Sequence, residues 1–237
     1  MAGQYTVKLK RRAVVASGTE SFLFERPPRF DFTAGQFLEM TLAVAPPEDD
    51  LRSFSISSAP CEPELMITTR LRDSAFKQAL RELQPGAEVQ IAGPYGSFVL
   101  KSDAPRPLVF VAGGIGITPI RSILTQAAFD ADLRETFLFY SNRRAEEAAF
   151  VEELARMESR PSGLRLVSTL TGAEATNEGW AGEQGRVDLD MIARYVDPAA
   201  ATFYVSGPPA MVSGLRDVLA GSGIERGRIR IERFDGY

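Results

Sequence analysis

One turn near the middle of the chain carries the clearest chemical signal. Val109-Phe110-Val111-Ala112 has the apolar, β-branched character of a buried strand, and it runs straight into Gly113-Gly114-Ile115-Gly116-Ile117-Thr118-Pro119. A strand that breaks into glycines and then into a helix brings backbone N–H groups and a helix N-terminus together, which suits an anionic phosphate. Glycines let the backbone bend tightly and approach a pyrophosphate closely. Thr118 suits a helix N-cap, and Pro119 suits the first helical position, where a missing N–H costs nothing. The spacing departs from G-x-G-x-x-G: Gly114 and Gly116 match, but Pro119 stands where the third glycine would be. A turn whose glycines serve only close packing has the same composition, so these residues alone leave both readings open.

Composition removes other chemistries. The 237 residues contain no His and a single Cys, Cys61. Without His there is no Ser-His-Asp triad, no Cys-His pair and no His-based metal site. One thiol cannot hold an iron–sulfur cluster or a structural zinc ion, and it cannot form an intramolecular disulfide. Chemistry is left to carboxylates, hydroxyls, backbone amides or a cofactor. Lys and Arg number 27 against 31 Asp and Glu, a net charge of −4, so the overall basic footprint of a nucleic-acid binder is missing. The start, Met1-Ala2-Gly3-Gln4-Tyr5, has no secretory pattern, and the apolar runs are far shorter than a membrane helix needs. The expectation is a cytoplasmic protein with no membrane insertion.

The elements that must hold the turn differ between the two halves. Up to about Leu100 the apolar stretches are short, rich in Val, Ile, Phe and Thr, and divided by Gly and Pro. Strands are expected at 6–15, 36–44, 53–57, 64–70 and 88–92, with one helix from Ser74 to Leu83. That pattern suits an antiparallel β-barrel or sandwich. Lys101 to Pro107 reads as a polar, proline-containing linker. After it, strands expected at 108–112, 136–140, 164–170, 202–205 and 228–231 alternate with helices at 119–128, 146–157, 188–195 and 210–220. Such alternation implies a doubly wound parallel sheet of the α/β class, with ligands at the carboxyl ends of its strands.

Several strings resemble the ferredoxin–NADP⁺ reductase family, and they occur in that family's order. Gly113-Gly-x-Gly-x-Thr-Pro-x-x-Ser122 resembles its nicotinamide signature. Phe30-x-Phe32-x-x-Gly35-Gln36-Phe37 resembles its F-x-P-G-Q-F turn, with Ala34 in place of proline. Arg52-Ser53-Phe54-Ser55 resembles R-x-Y-S, and Gly93-Pro94-Tyr95-Gly96-Ser97-Phe98 resembles the end of the flavin barrel. Ser206-Gly207-Pro208-Pro209-Ala210-Met211 resembles C-G-P-x-x-M, and Glu232-Arg233-Phe234 resembles the family's acidic–aromatic finish.

The resemblance implies an FAD-binding β-barrel over residues 1–102 and an NAD(P)-binding α/β domain over 107–237. It implies that Arg52 serves the flavin phosphates, that Ser53 beside it belongs to the FAD site, that Phe54 stacks on the isoalloxazine, and that Ser55 bonds near flavin N5. Thr68 and Thr69 would flank the flavin. Ser74 would cap a helix whose amides, at Ala75, Phe76 and Lys77, meet the pyrophosphate. Phe234 or Tyr237 would cover the flavin face. Gly113, Gly114, Gly116, Thr118 and Pro119 would hold the nicotinamide dinucleotide, with Ser141, Arg143, Ser168, Gly207, Pro208 and Met211 around it. Ser206, where many members carry Cys, and Glu232 join Ser55 as the expected catalytic residues.

The choice between NADH and NADPH rests on two opposed features. Arg143-Arg144 after the second strand of the α/β half suits a 2′-phosphate. The family usually reads that phosphate after the third strand, and Ser168-Thr169-Leu170-Thr171 contains no Arg. The balance leans slightly towards NADH. The implied activity is hydride transfer from NAD(P)H to FAD, with electrons passed to a separate carrier such as a ferredoxin, a flavodoxin or an oxygenase component. The alternatives are an NAD(P)H:flavin reductase that uses free flavin as substrate, and a nucleotide-binding subunit without turnover.

Overall fold

The computed structural model describes residues 2–44, 50–101, 107–132, 134–159, 163–172 and 180–234. The first half forms strands β1 (Gly3–Ala16), β2 (Thr19–Glu25), β3 (Phe37–Thr41), β4 (Leu51–Ser55), β5 (Glu64–Arg70) and β6 (Glu88–Tyr95), with helix α1 (Ala75–Glu82) before β6. The sheet order is β4-β3-β6-β1-β2-β5, and every pairing is antiparallel. An antiparallel bridge between Ile56 and Ile67 joins the two edges, so the sheet closes into a barrel. Its interior holds Phe22, Phe24, Leu38, Met40, Ile56 and Ile67. Phe76 and Leu80, one turn apart on α1, add to the same core. Ser74 caps α1 by accepting from the Lys77 amide at 3.3 Å.

The sequence reading had not placed a strand at β2. Four consecutive residues there, Ser21 to Phe24, are buried, so both faces are covered and the strand lacks the alternation that marks a half-exposed one.

The second half builds a parallel sheet from β7 (Leu108–Gly113), β8 (Thr136–Asn142), β9 (Leu164–Leu170), β10 (Glu183–Gln184), β11 (Thr202–Gly207) and β12 (Ile229–Arg233). Its order is β10-β9-β8-β7-β11-β12. Helices α2 (Ile117–Phe129), α3 (Val151–Glu158), α4 (Leu189–Ala193) and α5 (Pro209–Gly221) complete it. Alternate strand residues feed opposite faces. Phe110, Leu138 and Tyr204 pack with Ile120 of α2 and Leu154 of α3, whereas Val111, Phe139 and Val205 pack with Ile192 of α4 and Val212 of α5. The fold is the expected barrel followed by a doubly wound sheet.

Three local expectations need correction. The helix after β7 does not begin at a Thr118 cap. A 3₁₀ turn at Gly114–Gly116 leads directly into α2 at Ile117, and Thr118 lies inside the first turn, where its Oγ1 donates to the Ile115 carbonyl at 3.0 Å. Pro119 is therefore the third residue of α2, still within the turn whose N–H groups have no intrahelical partner. The helix expected at 146–157 starts only at Val151. Before it, Glu146 accepts from the Ser17 amide of the barrel at 2.8 Å and Glu147 pairs with Arg70 at 2.7 Å. These residues serve the contact between halves rather than a helical ladder.

The two halves are joined through α2. The Arg121 guanidinium, only 7% exposed, pairs with Glu62 at 2.6 Å and Glu153 at 2.7 Å and donates to the Ser57 carbonyl at 2.8 Å. Next to it, Ser122 Oγ donates to the Ser58 carbonyl at 2.6 Å. Glu62, Ser57 and Ser58 belong to the barrel half, so one guanidinium ties a barrel loop to two elements of the second half. Arg121→Ala strands two carboxylates that keep some solvent access, so the expected loss in urea unfolding is about 2–3 kcal/mol, below the usual cost of breaking a fully buried pair.

Candidate functional site

The barrel and the parallel sheet meet around a cavity of about 370 Å³, within the range of about 300–1,000 Å³ usual for ligand sites. The barrel contributes Arg52, Ser53, Phe54 and Ser55 from β4, Thr68 and Thr69 from β5, and Ser74 and Lys77 at the start of α1. The second half contributes Ile115 and Thr118 from the glycine turn and α2, and Phe234 just after β12. Residues expected for flavin thus share one space with Thr118, the one residue expected for nicotinamide that lines it among the described residues.

Each position follows from local structure. In β4 the residues next to each other point to opposite sides of the strand, and Phe54 lies against Phe76 with ring centroids 5.8 Å apart. The Arg52 guanidinium lies 5.7 Å from the Phe76 ring centroid. Phe76 itself is fully buried in the barrel, so its side chain supports the cavity wall and does not line it. Thr68 shares a 2.8 Å hydrogen bond with Ser21 of β2. The Lys77 ammonium donates to Thr69 Oγ1 and sits 4.5 Å from the Phe54 ring centroid. Burial and the neighbouring Arg52 push the Lys77 pKa down to about 8. The Lys77 amide already serves the Ser74 cap, which leaves the amides of Ala75 and Phe76 for an anion at that helix start.

The glycines of the turn differ in what surrounds them. A Cβ at Gly116 would lie 2.3 Å from the Ser206 carbonyl oxygen, and one at Gly113 would lie 2.5 Å from Met211 Sδ and 2.9 Å from Pro208. Close packing against β11 and the start of α5 therefore demands these two glycines. Gly114 differs: its φ is +51° and its open side meets only the Arg70 guanidinium, 3.8 Å away. It is the turn residue free to approach a ligand.

The strand ends align the remaining candidates. Ser206 of β11 is paired in register with Ala112 of β7 on one side and Glu232 of β12 on the other. The Ser206 side chain is fully buried and its Oγ has no hydrogen-bond partner. Burial raises the Glu232 pKa above the ordinary glutamate value. Phe234 is anchored by its amide, which donates to the Gly207 carbonyl at 3.1 Å. Among the described residues, the cavity lining includes Phe234 but neither Ser206 nor Glu232.

Other expected residues lie apart. Ser141 ends up near the carboxyl end of β8, and Arg143 follows it, its carbonyl accepting from the Gly172 amide at 3.0 Å. Ser168 on β9 lines a different cleft, of about 560 Å³, at the sheet edge with Arg165, Glu183 and Tyr195. Tyr237 lies outside the described residues. The sequence reading missed Arg70. It ends β5, lines the cavity, touches the open side of Gly114 and pairs with Glu147 of the other half. No local signal distinguishes it from an ordinary strand-end arginine.

The comparisons agree with this architecture. A model of the oxidoreductase FAD-binding domain matches residues 6–100, and one of the oxidoreductase NAD-binding domain matches 110–217. The chain belongs to the ferredoxin–NADP⁺ reductase-like family. It is an oxidoreductase that binds FAD and a nicotinamide dinucleotide. Ferredoxin–NADP reductase B of Sorangium cellulosum is 29% identical over 87% of this chain and 86% of its own length. The reductase component of a propane 2-monooxygenase of Mycolicibacterium goodii is 27% identical over 88% of this chain, which spans only 60% of that relative. In fold, the chain matches a cytochrome P450 reductase from Amycolatopsis with a TM-score of 0.86 at 22% identity, covering 98% of this chain and 70% of that one. It also matches a Neisseria gonorrhoeae ferredoxin NADP⁺ reductase, with bound FAD and NADP, with a TM-score of 0.82 at 21% identity, covering 97% and 98%. No helix among the described residues is long and apolar enough to cross a membrane.

The site suits the family's cofactors. The cavity wall carries an aromatic face, hydroxyls and cationic side chains, the donor set that a flavin ring and a pyrophosphate require. The orphaned, buried Ser206 Oγ stands at the carboxyl edge of the parallel sheet, where such folds place their ligands.

Glu232 gives a pH test. Its pKa is raised in the folded state, so the native protein holds a proton that the unfolded chain releases, and stability falls as pH rises above the ordinary glutamate range. Glu232→Gln removes that penalty. Thermal melts should show the variant more stable than wild type at pH 7–8, with the gap narrowing towards pH 4. A gap that widens on acidification contradicts the assignment.

Proposed function

We propose that this chain takes hydride from NADH onto a bound FAD and passes the electrons to a separate carrier protein, of the ferredoxin, flavodoxin or oxygenase-component kind. The observation that carries the reading is the shared cavity. Arg52, Phe54, Ser55 and Lys77 from the barrel face Ile115 and Thr118 of the nucleotide turn across one space. Bound FAD would supply the capacity to accept two electrons as hydride and release them one at a time.

The chain's own residues supply binding, orientation and shielding. Arg52 offers a planar fork for phosphate oxygens, and the Ala75 and Phe76 amides at the start of α1 add neutral donors. Phe54 and Ser55 would flank the flavin ring, with Thr68 and Thr69 beside it. Gly114, Thr118 and the first turn of α2 would receive the pyrophosphate of the dinucleotide. Gly207, Pro208 and Met211 hold the glycine turn from behind, so they would position the nicotinamide side through packing. Ser206 and Glu232, adjacent in register, would meet the nicotinamide at the strand ends. Phe234 would cover the ring until the nicotinamide displaces it. For the donor, the absence of Arg from Ser168 to Thr171 supports NADH.

The first test is the visible spectrum of the purified protein. Near one flavin per chain is expected, with NADH oxidised in the presence of a one-electron acceptor and kcat/KM for NADH at least about tenfold above that for NADPH. A colourless protein that turns over NADH only when free flavin is supplied replaces this reading with a flavin reductase. A protein that binds nucleotide and never turns over removes both. Arg52→Ala should weaken FAD binding about 10- to 100-fold, the range for losing a hydrogen bond to a charged group, as measured by equilibrium titration.

A further inference from the structure

Among the described residues lining the cavity, Lys77 is the one cation whose charge changes at mildly alkaline pH. It is the third residue of α1, and its side chain turns back over the cavity to Thr69 and Phe54. Among the described residues no carboxylate lies within ion-pair distance of it. Its contacts are a neutral hydroxyl and an aromatic face. The other charged groups lining the cavity are Arg52 on β4, Arg70 at the end of β5, and Arg72 and Asp73 in the loop before α1. The second half contributes Ile115, Thr118 and Phe234 there, none of them charged.

We propose that Lys77 is the proton-linked phosphate ligand of this cleft, leaving Thr69 and the Phe54 ring for a cofactor phosphate as FAD enters. The proposal rests on the FAD reading of the cleft and adds a regulation to it. Two contacts of Lys77 bear on the exchange. The ammonium covers the Phe54 face on which a flavin ring would stack, so stacking requires it to move. A phosphate arriving at the start of α1 offers the anionic partner that Lys77 lacks. The arginines keep their charge throughout the working pH range, so they hold phosphate without responding to pH.

The sign follows from which form binds phosphate. The charged ammonium does, and burial together with Arg52 holds its pKa near 8 before phosphate arrives. Phosphate raises that pKa. Well below pH 8 the lysine is already protonated and binding moves almost no proton. Above it, binding takes up one proton, and affinity falls by up to about tenfold per pH unit.

Titration of the protein with FAD between pH 6.5 and 9.0, read by flavin fluorescence, tests this. The dissociation constant should be nearly flat to pH 7.5 and about fivefold to tenfold weaker by pH 9. Calorimetry in buffers of different ionisation enthalpy should register uptake of close to one proton at pH 9. Lys77→Arg should bind FAD with no pH slope, and Lys77→Met should bind more weakly at every pH, also without slope. Both variants are first matched to wild type by circular dichroism, and the arginine variant keeps the test valid if the methionine variant unfolds. Riboflavin, which has no phosphate, should bind without the slope. A wild-type affinity that is flat through pH 9, or a slope that survives in Lys77→Arg, overturns the proton linkage and leaves the flavin reading intact. Absence of FAD binding at pH 7 overturns the flavin reading and the linkage with it.

Discussion

The site depends on one close backbone approach. The glycine turn after β7 lies against the end of β11 so tightly that a single added carbon at Gly116 would lie 2.3 Å from the Ser206 carbonyl oxygen. Backbone packed this closely cannot yield by a rotamer change, because no flexible side chain intervenes. The contact sets where α2 starts, and α2 carries Thr118 into the cavity and Arg121 into the contact with the barrel. The glycine turn and the union of the two halves are thus consequences of the same packing. Glycine is required for two different reasons: at Gly113 and Gly116 to let protein approach protein, and at Gly114 to leave a face open.

The cavity concentrates positive charge in a protein that is acidic overall. Among the described residues lining it, Arg52, Arg70, Arg72 and Lys77 stand with one acid, Asp73, while the whole chain has a net charge of −4. Such a local field favours an anionic ligand and gives the two halves a common target. It also has an internal cost. Burial, with Arg52 beside it, pushes Lys77 towards neutrality, whereas Arg70 is balanced by Glu147 at 2.7 Å. Neighbouring cations in one cleft are therefore held differently, one by a carboxylate of the opposite half and one by only a hydroxyl and a ring.

The barrel strings and the nucleotide turn were legible because each is short and local. Ser74 caps α1 as its residue type requires, and Arg52-Ser53-Phe54-Ser55 lies on a strand facing the cavity. The parallel sheet followed from alternation of strand and helix patterns. The failures share a cause. β2 hides both faces, so its pattern carries no period. Residues 146–150 read as helix because their composition is helical, yet the Glu146 carbonyl and the Glu147 carboxylate serve the barrel. Thr118 has the chemistry of a cap, but the 3₁₀ turn before it already occupies the cap's place.

Residue types and spacing along the chain determined the two-part architecture, the glycine turn between β7 and α2, and the family. These signals are carried by neighbours in sequence, where backbone sterics, periodicity and capping act. Tertiary structure alone decided that Arg70 meets Glu147, 77 positions away, that Arg121 reaches Glu62, and that Lys77 lies over Phe54 instead of in solvent. Each is a charge whose partner and exposure depend on distance through space, and no local pattern encodes that distance.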